Sequence, residues 1–234
     1  MRRVMGLAAN DLLSEARGKQ IVMVMVLFGL SLVFLLTFAL PPGAIRAPLP
    51  GPQAGSVPAR EITGTLIWTT IFFAAVIGFG RGVSVDSQSG AREGLLLAPI
   101  DPAALFAGKL IANLVFLLAT EALVIPLFMV FANIDFDLLF PGILGVALAA
   151  TVGLAAVGTL FGAASLYSEA RSMMMPLLLF PFALPVVLAA SKLTSALLID
   201  GGAASEQRWF ILLAVFDIVF LTIGAVTFEF VIQE

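Results

Sequence analysis

The chain has 234 residues, of which 61% are hydrophobic and 12% charged, with a formal net charge of −3. A soluble domain covers its surface with roughly 25% charged residues, and a nucleic-acid binder needs a basic patch, so neither class fits. With Cys 0 and His 0 the chain forms no disulfide, builds no Cys/His zinc site, and offers no histidine as a haem ligand or general base.

The longest charge-poor runs exceed the roughly 18–20 apolar residues that span a hydrocarbon core, and they are apolar on every face. A transmembrane barrel would alternate instead, so the chain reads as an all-α membrane protein of six transmembrane helices in a single domain over residues 1–234. Residues 1–19 set Arg2, Arg3, Arg17 and Lys19 among Val4, Met5, Leu7, Leu12 and Leu13. This pattern suits an amphipathic helix lying in the membrane interface, and an ordinary charged flank of the first span accounts for it equally well. The apolar run that follows starts too late and runs too long for a cleavable signal peptide.

The first span is expected over Ile21–Leu40, ending at Pro41-Pro42, and residues 41–60 carry six prolines and read as a helix-free loop. The second covers Ile62–Gly80. A polar segment over 81–101 precedes the third span, Leu110–Ala132, whose helix starts at Asp101-Pro102 as N-cap and first-turn proline. A helix from Pro102 to Ala132 is about 46 Å long, more than the bilayer core, so its first two turns stand in the interface. An acidic turn with Asp135 and Asp137 leads to the fourth span, Pro141–Leu166, followed by the fifth, Met173–Ser191, and the sixth, Trp209–Phe230. With the N-terminus inside, Arg2, Arg3, Arg17, Lys19, Arg81, Arg92, Lys109 and Arg171 face the cytoplasm, against Arg46, Arg60, Lys192 and Arg208 outside, which places both termini inside.

No nucleotide-binding motif is present. Gly108-Lys109 lacks the upstream glycine and the following Ser/Thr of a phosphate loop, and Gly78-Phe79-Gly80-Arg81-Gly82 has the wrong spacing after the wrong element. Two carboxyls lie within spans, Glu121 and Asp217. Each reads either as part of a gate or pathway or as the partner of a hydroxyl such as Thr120, Thr222 or one on a facing helix. The fourth span is rich in small residues, with Gly158 and Gly162 at GxxxG spacing like Gly78 and Gly82, which suits close helix packing in the bundle or at a subunit interface. Pro176, Pro181 and Pro185 predict a kinked or broken fifth helix, either as a moving part or as a static bend. Within 81–101, Asp86, Ser87 and Ser89 are placed to cap a short helix with Arg92 and Glu93 outward and Leu95, Leu96 and Leu97 inward. So apolar a loop needs a docking surface, either a partner protein or the lipid surface.

A basic amphipathic start, six spans and a segment of the form D…G-x-x-E-x-L-L-L-x-P-I…K resemble the membrane subunit of an ABC-2-type exporter. GAREGLLLAPIDPAALFAGKLIANLVF and ARSMMMPLLLFPFALPVVLAAS are similar to the haem exporter protein B (CcmB) family of cytochrome c maturation. The departures are Ala91-Arg92 and Gly94 within the loop motif and a long loop at 41–61. The resemblance implies an inner-membrane permease subunit, not an enzyme, paired with a second copy. It implies docking of a separate ATP-binding subunit on the coupling loop through Asp86, Arg92, Glu93, Leu95, Leu96, Leu97 and Pro99. Further implied partners are a haem-handling membrane subunit and a haem chaperone. ATP and haem would be held by those partners, with no cofactor or metal on this chain and no nucleic acid. Three alternatives stand beside it. A proton-driven secondary transporter using Glu121 and Asp217 predicts an internal repeat, which the two halves lack. An ABC-2-type permease with a non-haem substrate is the second. An intramembrane enzyme, the third, needs Glu121 and Asp217 to face each other.

Overall fold

The computed structural model describes residues 20–39, 59–88, 102–132, 140–165, 171–200 and 206–233. Six helices account for them: α1 Gln20–Ala39, α2 Ala59–Gln88, α3 Pro102–Ala132, α4 Phe140–Ser165, α5 Arg171–Asp200 and α6 Gln207–Gln233. Each contains a stretch long and apolar enough to cross a membrane, and no strand occurs among the described residues. Without water to bind the backbone, such runs satisfy their N–H and C=O groups only within a helix. The expected interfacial helix over 1–19 lies outside the described residues, as do the proline-rich loop expected over 41–60 and the acidic turn expected over 133–140, except that Ala59 and Arg60 open α2 and Phe140 opens α4.

Two helix ends and the continuity of one helix differ from the hydropathy reading. The second helix continues past Gly80 to Gln88, because residues 81–88 contain no proline and nothing halts the hydrogen-bond ladder where the apolar run ends. The fifth extends beyond Ser191 to Asp200. It is also one continuous helix across Pro176, Pro181 and Pro185, not a broken one. Pro181 and Pro185 lack the N–H that would reach the carbonyls of Leu177 and Pro181, but the flanking turns keep their own bonds.

Four helices, α2 to α5, form the centre of the bundle, with the α2–α5 contact the most extensive. Helix α4 is the most buried and touches α2, α3, α5 and α6, while α1 packs on α2 and α3 at one flank and α6 on α3, α4 and α5 at the other. The core is filled by Trp68, Leu117, Phe128, Met129, Leu154 and Leu193. On α6, Ile211, Val215, Ile218, Ile223 and Val226 repeat at helical spacing on an exposed, lipid-suited face.

In lipid, apolar side chains gain little from leaving their surroundings, so shape fit and hydrogen bonds decide helix association. Glycines provide part of the fit, two of them by seating an aromatic ring. The Phe79 ring of α2 lies where a side chain at Gly158 of α4 would stand, and the Phe106 ring of α3 does the same over Gly224 of α6. Phe106 also packs on Phe228 with ring centroids 5.3 Å apart, forming a second small cluster with Leu105 and Ala163. Helix α6 is further held by an aromatic chain: Phe161 to Phe182 at 4.8 Å, Phe182 to Phe220 at 5.9 Å, and Phe220 to Phe216 at 4.4 Å.

Candidate functional site

Two polar side-chain pairs cross the contact between α3 and α4. Asn113 Nδ2 donates to Thr159 Oγ1 at 2.9 Å, and Thr159 Oγ1 donates to the Ala155 carbonyl of its own helix at 2.7 Å. Two turns further along α3, Glu121 meets Thr151, whose Oγ1 lies 2.7 Å from Oε1 and 2.8 Å from Oε2. Thr151 Oγ1 also lies 2.6 Å from the Ala147 carbonyl. The two rungs are in antiparallel register: Asn113 and Glu121 are separated by eight residues on α3, as Thr159 and Thr151 are on α4. Leu117 and Ala155, midway between them, are fully buried. Side chains at i, i+4 and i+8 form one ridge of a helix, and here the ridges of α3 and α4 carry the same alternation of polar and apolar positions.

Glu121 is 3% exposed, so its carboxyl is sealed from lipid and water alike. Of the hydroxyls considered from the sequence, Thr120 donates to Phe116 O at 3.0 Å and Thr222 to Ile218 O at 2.7 Å, each within its own helix. The facing-helix hydroxyl that Glu121 uses is Thr151.

Asp217 sits on the inward side of α6, half-buried. Its Oδ1 is buried with no hydrogen-bond partner. That oxygen lies 2.7 Å from where a Cβ on Gly153 would stand, beside Phe216 and Val186. Thr151 and Gly153 are two residues apart on α4, hence about 200° around its axis and about 3 Å along it. The two intramembrane carboxyls therefore flank α4 at nearly one level, on opposite sides. An acid pair facing across the bundle, which an intramembrane enzyme would require, is not formed.

A third polar contact joins α2 to α5, where Trp68 Nε1 donates to Thr194 Oγ1 at 2.9 Å. Among the described residues no three metal-ligating side chains gather. Of the loop residues named from the sequence, Asp86 belongs to the last turn of α2, and Arg92, Glu93, Leu95, Leu96, Leu97 and Pro99 lie outside the described residues. Sequence reading missed Asn113, Thr151 and Thr159, and took Gly153 only as one of the small packing residues of the fourth span. The one signal for the first three was the equal eight-residue spacing of polar residues in consecutive helices.

A family model for the CcmB protein matches residues 2–233, essentially the whole chain. Among curated proteins, none matches it.

Proposed function

The chain belongs to the CcmB protein family, a family of membrane permease components of haem export, and from that premise we propose that it is the ATP-coupled permease subunit of a cytochrome c maturation machine. It resides in the bacterial inner membrane as a multi-pass protein with both termini in the cytoplasm, paired with a second copy of itself. A separate ABC ATP-binding subunit docks on the segment from Asp86 to Pro99, with Leu95, Leu96 and Leu97 as the apolar contact and Arg92 and Glu93 at its edge. ATP is held by that subunit. Haem is held by the haem-handling membrane subunit and the haem chaperone, and the work done is haem export or release of the loaded chaperone.

The observation that carries this reading is the family match over residues 2–233. Two features of the bundle agree with it. The proposed docking segment joins α2 and α3, both central helices, so displacement there reaches the core and not a peripheral hairpin. At the start of α3, Leu105 and Phe106 grip Ala163 of α4 and Phe228 of α6, so the same displacement is passed to two further helices. A ligand or partner shifts such a bundle only through different contacts in its two arrangements, and this packed cluster is where those contacts would differ.

Co-expression with the ATP-binding subunit and purification through a tag on this chain tests the reading. Stoichiometric recovery of the ATPase is expected, with loss of recovery when Leu95, Leu96 and Leu97 are all changed to Ala. Transport by this chain alone in proteoliposomes without ATP would overturn it, and so would unchanged ATPase recovery by the triple variant.

A further inference from the structure

We infer that Glu121 is a fixed hydrogen-bond donor in its neutral carboxylic acid form, the chemical equivalent of the amide at Asn113, and that it ties α3 to α4 instead of carrying protons. This goes beyond the permease reading and does not depend on it.

Thr151 Oγ1 has one hydrogen and three acceptors within 2.8 Å: the Ala147 carbonyl at 2.6 Å and the two carboxyl oxygens of Glu121. A carbonyl cannot donate, so the shortest of these contacts takes the threonine hydrogen. The bond to Glu121 then needs its hydrogen from the carboxyl. If the carboxyl were ionised, at least two of the three oxygen pairs would face each other without a hydrogen between them, at a site buried away from bulk solvent.

The neighbouring rung supplies the comparison within the same molecule. At Thr159 the hydroxyl is likewise committed to the carbonyl four residues back, Ala155, at 2.7 Å. There the α3 side chain is Asn113, whose Nδ2 is a donor by its chemistry and reaches Thr159 Oγ1 at 2.9 Å. Both rungs thus show one pattern: donor on α3, hydroxyl on α4, carbonyl one turn back. Glu121 fills the donor position of that pattern, and only a protonated carboxyl can do so. Lys109, the nearest cation on the same helix, is twelve residues away, or about 18 Å along the axis, too far to compensate a carboxylate.

The test uses the full chain in lipid nanodiscs, read by infrared difference spectroscopy and thermal unfolding. The wild type is expected to show the carbonyl stretch of a protonated, hydrogen-bonded carboxylic acid that disappears in E121Q. E121Q, which restores a donor at the same position, is expected to keep the wild-type unfolding temperature, whereas E121L lowers it. T151V, which removes the acceptor, moves the acid band to the higher frequency of a free carboxylic acid, and this readout serves even if E121Q accumulates poorly. A carboxylate band assigned to Glu121 in the wild type, or an acid band unmoved by T151V, would refute the inference. Each of these readings is made without ATP, ATPase or haem, so it stands or falls separately from the proposed coupling.

Discussion

Adding one methyl group at Gly158 tests whether close approach of α2 and α4 is set by that glycine. A Cβ built there would lie 2.5 Å from Phe79 Cζ and 2.6 Å from Cδ2, well inside the 3.0 Å below which real contacts essentially do not fall. Phe79 is 6% exposed, so its ring cannot swing into open space and the helices or the ring must shift by about an ångström. Overpacking of this kind destabilises by roughly 1–3 kcal/mol. Alanine in place of glycine in a helix interior returns about 0.8–1 kcal/mol of backbone propensity. The net expectation for Gly158→Ala is a destabilisation of about 0–2 kcal/mol. In a Phe79→Ala background the obstruction is gone and the propensity term acts alone, so the same change is expected to stabilise by about 1 kcal/mol. The coupling between the two positions is then roughly 1–3 kcal/mol, large enough to resolve in a double-mutant cycle of unfolding in detergent micelles. Stabilisation by Gly158→Ala in the native background would refute the reasoning, because it would mean the Phe79 ring yields freely.

Thr194→Val keeps the shape of the side chain but leaves the Trp68 indole N–H without an acceptor in a buried site; a loss of about 1–2 kcal/mol is expected, measured by the same unfolding assay, and no loss would show that the bond adds nothing to the α2–α5 contact. Asp217→Val removes a buried oxygen that has no partner and is expected to stabilise the isolated chain by about 1 kcal/mol, at the low end of the desolvation penalty for an unmade hydrogen bond. A clear loss of stability would mean that the carboxyl is satisfied by a group from outside this chain.

The number and order of the helices were legible because uninterrupted apolar runs leave the backbone no alternative to a helix in lipid. Their ends were less so. Hydropathy marks where the hydrocarbon stops, whereas the helix stops where backbone hydrogen bonds stop, and these differ by eight residues at Gln88 and nine at Asp200. The prolines of the fifth helix pointed to a break that did not occur, since losing single N–H groups is less costly than exposing a whole turn of backbone. At the polar site the sequence located Glu121 and Asp217 by their cost in an apolar run. It did not reveal that they lie on opposite sides of α4, because that depends on the rotation of three helices about their axes. The role of Gly158 was hidden for a related reason: a GxxxG spacing says that a helix can be approached, not which ring approaches it, and Gly224 stands in no such spacing.

The contacts also divide the bundle by how firmly its parts are joined. Between α3 and α4 the joint is directional, two hydrogen-bonded rungs in register with a fully buried leucine and alanine between them. A slide of either helix by one residue would break both rungs at once, leaving the Asn113 amide and the Glu121 carboxyl without their partners inside the bundle. Between α6 and its neighbours the joint is mostly of another kind: ring contacts of Phe106 with Phe228 and of Phe182 with Phe220, a glycine seat, and a carboxyl oxygen bonded to nothing. Ring contacts tolerate small displacements that hydrogen bonds do not. Any rearrangement of the bundle that keeps both rungs therefore moves α3 and α4 as one body. The cluster around Phe106 joins that pair to α6 and lies only a few residues from Pro102, where α3 begins after the proposed docking segment.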